Sequence, residues 1–183
     1  MRRIAPFLVL LGCDAGAPGP TGPRPDQIAQ AEIHEATLRA QHELDAVAKA
    51  VLERYKLDPQ SVPDAQLLEH EPTILVDRDL ERDPERGSIG AQLTADALPV
   101  GKFALRSVAE MQADADRTHD TVHSIFLYRL QIEGNRAKFW VGVHVKIPDV
   151  PEGSGTCCCS AQQIYVKRAG VWTYAETTDS ICS

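Results

Sequence analysis

Between residues 26 and 55 the apolar and small positions recur at helical spacing. Ile33, Thr37, Ala40, Leu44, Val47 and Val51 form one stripe, which predicts a single long helix over Asp26–Tyr55 with Asp26 as its cap. Pro59 closes that region. A short second helix is expected next, capped by Ser61, with Pro63 and the acidic Asp64 in its first turn. Thr73–Asp77, "TILVD", reads as a short strand. The stretch "RDLERDPERGSIG" that follows is charged and broken by Pro84, Gly87 and Gly90, and reads as a surface loop. Ser107 and Glu110 have the spacing of a capping box and start a third helix ending near Arg117.

The pattern then changes from helical to alternating. Residues 121–147 read as a hairpin with a two-residue turn at Gly134-Asn135. That turn sets Glu133 opposite Arg136. Ile132 then faces Ala137, Leu130 faces Phe139, Tyr128 faces Val141 and Phe126 faces Val143, so one face is apolar on both strands. The other face pairs Arg129 with Trp140 and Ile125 with His144. A second hairpin turns at Ala169-Gly170, with Arg168 facing Val171, Tyr165 facing Tyr174 and Ile164 facing Ala175. This order predicts an α+β domain, a long N-terminal helix packed on a curved, mostly antiparallel sheet of about five strands. The element order over Asp26–Thr178 resembles the cone-shaped folds of the nuclear-transport-factor-2-like superfamily. The phrases "ILVD", "LRSVAEM", "IEGNRAKFWVGV" and "YVKRAGVW" resemble those of uncharacterised exported bacterial proteins, a likeness that implies no activity.

The first thirteen residues, "MRRIAPFLVLLGC", change the picture. Arg2 and Arg3 precede an eight-residue run, Ile4–Leu11, that is apolar apart from the Pro6 interruption. A bilayer span needs about 20 apolar residues, whereas the core of an export signal does not. The closing "LLGC" resembles the lipobox of bacterial lipoproteins. That resemblance implies cleavage after Gly12 and a diacylglycerol on Cys13. Several acyl chains anchor a protein firmly where one is marginal. The chain is then expected to comprise a signal peptide (1–12), a lipidated cysteine with a Gly/Pro tether (13–25) and one folded domain (26–183). Its expected location is the bacterial cell envelope, facing the periplasm or the cell surface. Asp14 directly after the cysteine resembles an inner-membrane retention signal of enteric bacteria, and the choice between inner and outer membrane stays open.

Charge narrows the partners. The chain carries 19 Lys and Arg against 26 Asp and Glu. Removing Arg2 and Arg3 leaves 17 against 26, a net charge of about −9. An acidic body without a basic stripe excludes the usual nucleic-acid footprint and electrostatic docking on anionic lipid. The expected partners are the membrane, through the lipid, and a protein or small ligand.

Four cysteines remain beside Cys13: Cys157, Cys158, Cys159 and Cys182. In an exported protein they tend to oxidise. Extending the second hairpin outward from Arg168 opposite Val171 sets position 157 opposite 182, so a Cys157–Cys182 bridge is the first expectation. Cys159 returns to the same face as Cys157 and becomes the partner of Cys182 if a bulge shifts the register. A thiolate site for copper(I) or zinc and a redox or surface thiol are the alternatives, although no CxxC pair is present.

The segment "DADRTHDTVH" gathers Asp116, His119 and His123. With His144 across the hairpin these residues form a candidate transition-metal set, against the plainer reading of a polar helix-to-strand loop; no metal site is favoured. No GxSxG, Walker, HExxH or dinucleotide motif is present, and no cofactor or catalytic residue is assigned. The leading expectation is a non-enzymatic, lipid-anchored binding or structural domain. Its rivals are a pocket-bearing enzyme or ligand-binding protein, with Trp140, His123 or His144 lining a pocket between long helix and sheet, and a thiol or metal protein.

Overall fold

Gly134 and Asn135 form the turn between two long strands, as the alternation predicts, and the ladder starts with Glu133 opposite Arg136 and Ile132 opposite Ala137. The architecture comes from a computed structural model that describes residues 25–80, 91–150 and 158–182. The expected signal peptide, Cys13, most of the expected tether, most of the charged stretch after Asp77 and Cys157 lie outside the described residues. The elements are α1 (Pro25–Leu57), β1 (Ile74–Asp77), β2 (Phe103–Arg106), α2 (Val108–Thr118), β3 (Val122–Glu133), β4 (Arg136–Lys146), β5 (Ser160–Arg168) and β6 (Val171–Ile181). The chain divides into two units, Met1–Glu35 and Ala36–Ser183. Of the first, the described part is the opening of α1, exposed from Gln27 onward.

The second unit holds one six-stranded sheet in the order β2-β1-β3-β4-β5-β6. The protein is α+β, as expected. The sheet has one strand more than expected and is mixed: β1 pairs in parallel with both β2 and β3. The added strand, β2, is only the four residues Phe-Ala-Leu-Arg, too short for its pattern to stand out. The Ser107–Glu110 capping box is present and starts α2. The expected second helix is instead two 3-10 turns, Pro59–Ser61 and Ala65–Leu68, separated by Asp64 in the left-handed region at φ +58°. Ser61 is therefore not a helix cap.

Beyond Gln131 the β3–β4 ladder slips by one residue. Tyr128 lies opposite Trp140, where alternation alone puts Val141. The extra residue lies in β3 at Arg129, whose φ is +54°, and it is a β-bulge. A one-residue slip exchanges the faces of everything past it. Ile125 and Leu127 thus join Phe139, Val141 and Val143 in the core, together with Val47, Val51 and Leu52 of α1. Phe126 and Tyr128 turn to the opposite face with Trp140 and His144. The apolar face expected from an unbroken register is corrected accordingly. The α1 stripe is buried at Val47 and Val51, whereas Ile33 is exposed.

A buried carboxylate ties α1 to the segment after residue 90. Asp45 accepts the Thr94 amide at 2.9 Å and its hydroxyl at 2.7 Å. These bonds satisfy a charge that would be costly to bury alone.

Candidate functional site

The sites expected from the sequence are dispersed by the fold. His123 lies on the core face of β3, with its Nδ1 3.1 Å from Glu71 Oε1. His144 lies on the other face, with its Nδ1 2.7 Å from Asp77 Oδ2. His119 caps α2 in the left-handed region and is 3.9 Å from Asp149. Asp116 accepts from the Asp149 amide and from Gln112. These residues do not converge, and among the described residues no group of three or more His, Cys, Asp or Glu is placed to hold a metal ion.

On the second face Asp77, almost fully buried, receives two partners. His144 Nδ1 takes one oxygen, and Ser124 Oγ donates to the other at 3.4 Å. The His144 ring stacks on Phe126 at 4.0 Å, and Tyr128 stacks on Trp140 at 6.0 Å. An imidazole oriented by a carboxylate is the arrangement a general base uses. Here Ser124 and His144 bind separate oxygens of the same carboxylate, so no proton path runs from that hydroxyl through the imidazole.

A cleft of about 520 Å³ lies between α1 and the β5–β6 turn. It lies between helix and sheet, but at β5–β6 and not at the first hairpin, where the sequence reading put a pocket. Trp140, His123 and His144 do not line it, because the bulge puts Trp140 and His144 on the face away from α1. Its walls include Ala46, Ala50 and Leu57 of α1, with Trp172 and Tyr174 of β6. Arg54 lies over the Tyr174 ring, 3.4 Å from its centroid. Beneath, Tyr165 is buried, its hydroxyl sealed from solvent beside Arg54. Burial pushes this phenol up to about 12, with the Arg54 charge partly opposing the shift. The Tyr165–Tyr174 cross-strand pair was readable from the turn at Ala169-Gly170. The approach of Arg54 from a helix more than a hundred residues earlier was not. A second cavity, of about 440 Å³, is lined by Tyr55, Leu68, Ile74 and Phe103. The two lysines at its rim already donate to Val100 and Glu71 carbonyls.

About one turn before Ala46 on α1, Glu43 accepts from Lys167 Nζ at 2.5 Å and from Trp172 Nε1 at 3.1 Å. The hydrogen bond from Lys167 outweighs desolvation and holds the carboxyl below its ordinary value of 4.5. A depressed folded-state pKa contributes stability that is present above the unfolded value and lost as pH falls through the folded one. Between about pH 6 and about pH 3 the parent should therefore lose more stability than Glu43→Gln. Urea midpoints across that range measure this, and parallel curves for the two proteins would contradict the pairing.

The cysteines form one bridge among the described residues, Cys159–Cys182, with the α-carbons 4.1 Å apart. The expected Cys157–Cys182 pairing is corrected to the alternative. The reason is register. Arg168 pairs with Val171 and Tyr165 with Tyr174, as expected, but Ile164 pairs with Glu176 and Gln162 with Asp179. Two single-residue bulges in β6 move the partner of position 182 from 157 to 159. Cys158, half-buried, lies outside the bridge. The Cys159 amide donates to Asp64 at 2.5 Å, tying the bridged strand to the 3-10 turns.

No family model, curated protein or solved structure matches this chain. No helix among the described residues is long and apolar enough to cross a membrane.

Proposed function

We propose that this chain is an exported lipoprotein, anchored to a cell-envelope membrane by acyl chains on Cys13, whose folded domain binds a protein or small ligand. The observation that carries the reading is the Cys159–Cys182 bridge. A cross-strand disulfide persists in an oxidising compartment, and "LLGC" is a route to one. The bridge supports export independently of the N-terminus. The α1–β6 cleft favours a ligand-binding role over a purely structural one, because it is a largely apolar concavity of about 520 Å³ with Arg54 in its wall.

The test is the intact mass of the protein from native membranes, alkylated without reduction. The expected result is a diacylglyceryl or triacyl mass on Cys13 and no more than two alkylated thiols, with Cys13→Ser abolishing membrane retention. An unprocessed N-terminus, or alkylation at all of Cys157, Cys158, Cys159 and Cys182, would overturn the proposal.

A further inference from the structure

We infer that the second cavity, between the C-terminal end of α1 and the first residues of β1 and β2, binds a small uncharged molecule with an aromatic body and one oxygen acceptor for the Tyr55 hydroxyl. This rests on the reading of the domain as a binding domain, but not on its lipid anchor or on the α1–β6 cleft.

Shape comes first. Tyr55 lies in the last turn of α1, Leu68 ends the second 3-10 turn, and Ile74 and Phe103 stand side by side at the start of β1 and β2. Together they wall about 440 Å³, within the usual range for a small-molecule site. The walls are tied to one another. Lys102 is fixed twice, its carbonyl accepting the Ile74 amide at 2.6 Å and its Nζ donating to the Glu71 carbonyl at 2.8 Å. Lys56 Nζ donates to the Val100 carbonyl at 2.9 Å, which ties α1 to the segment carrying Gly101. Walls already in place lower the cost of binding. Tyr55 and Phe103 meet edge to face with ring centroids 6.3 Å apart, and an aromatic ligand extends that packing.

Chemistry comes second. Tyr55 is only 8 % exposed. Its hydroxyl has no hydrogen-bond partner among the described residues and, unlike that of Tyr165, is not sealed from solvent. Burial, and after it the Glu69 carboxylate, push this phenol above its ordinary value of 10.0, so it stays an O–H donor at neutral pH. A donor in the wall of an apolar cavity calls for an acceptor. Charge of either sign is disfavoured. An ammonium carries no acceptor. A carboxylate meets the field of Glu69, and the rim ammoniums are already engaged, Lys56 by Val100 and Glu53 and Lys102 by Glu71. Desolvating either ion among Leu68, Ile74 and the two rings costs more than one hydrogen bond returns. A ketone oxygen on an apolar body meets all of these conditions.

The experiment uses the full chain carrying Cys13→Ser, with its disulfide formed, and follows the Tyr55 and Phe103 ring resonances during titration with acetophenone, ethylbenzene and benzoate. The three probes share a phenyl ring and carry in turn a neutral acceptor, no acceptor and an anion. Saturable shifts with acetophenone are expected, with ethylbenzene about fivefold weaker and benzoate at least about tenfold weaker. Tyr55→Phe removes a hydroxyl that has no protein partner to lose, so its melting temperature should hold. Its affinity for acetophenone should fall about fivefold while that for ethylbenzene stays at the parent's value. Equal affinity for acetophenone and ethylbenzene, benzoate binding as tightly as acetophenone, an acetophenone affinity unaltered by Tyr55→Phe, or no saturable shift with any probe would overturn the inference. Lipid on Cys13 without acetophenone binding would sink this cavity and leave the anchor standing. Acetophenone binding by a chain found unlipidated in native membranes would do the reverse.

Discussion

Replacing Cys182 by serine lowers the stability of the oxidised protein by about 3 kcal/mol. The bridge joins residues 23 apart in sequence, and in the chain-entropy view its loss returns that loop's freedom to the unfolded state. The folded side also depends on it. β6 is an edge strand, and past Trp172 its residues from Thr173 to Ile181 are exposed. Two bulges interrupt its single ladder to β5, so little else holds its C-terminal half. Urea denaturation of Cys182→Ser and of the parent, each with and without dithiothreitol, measures the effect. The reductant should bring the parent down to the variant and leave the variant where it is. A variant as stable as the oxidised parent would mean that Cys182 is not bridged, and would remove the main structural support for an oxidising compartment.

Gly142→Ala should cost about 3 kcal/mol, near the upper end of what overpacking costs. A β-carbon at this position would sit 2.6 Å from the Cys159 carbonyl oxygen and 2.9 Å from two atoms of the Phe126 ring. Neither neighbour yields easily. The Cys159 carbonyl belongs to the residue fixed by the disulfide and by Asp64, next to the Gly142–Ser160 pair. The Phe126 ring is buried and stacked on His144. The sign makes the test sharp, because glycine to alanine at an ordinary strand position stabilises by about 0.4–1 kcal/mol. Equilibrium unfolding gives the magnitude, and the His144 ring resonances report whether the Phe126 stack has shifted. A neutral or stabilising outcome would place Phe126 elsewhere, and with it the bulge that turns it away from the core.

Both predictions rest on register, where sequence and structure part. The turns at Gly134-Asn135 and Ala169-Gly170 are local features, and the pairs nearest them follow from the sequence. The pairs farther out depend on whether a strand keeps its alternation. At Arg129 it does not, and Phe126, Tyr128, Trp140 and His144 occupy the face opposite to α1. No short-range signal marks that bulge, since arginine has no preference for a positive φ. What decides it is that Ile125 and Leu127 fill the core against α1 while Gly142 leaves room for Phe126. The candidate site was readable to the same extent. Its location between helix and sheet and its Tyr165–Tyr174 pair could be expected, but its placement at β5–β6 and its cation could not. Arg54 lies on a helix whose rotation is set by which stripe is buried, and only the half of α1 from Leu44 onward buries one.

The sequence by itself determined the elements that local chemistry specifies. These are the capping box of α2, the long helix, the two hairpin turns, the α+β class and the cysteines available to bridge. Each rests on residues within a few positions of one another, so the physics that selects it is present in the linear chain. Tertiary structure decided the short parallel strand β2, the faces of β3 beyond Arg129, the partner of Cys182 and the meeting of Arg54 with Tyr165. These depend on one-residue choices of register and on which surface each strand packs against. A single bulge moves every later side chain to the opposite face, and its energetic balance is struck only when α1 and the neighbouring strands are in place.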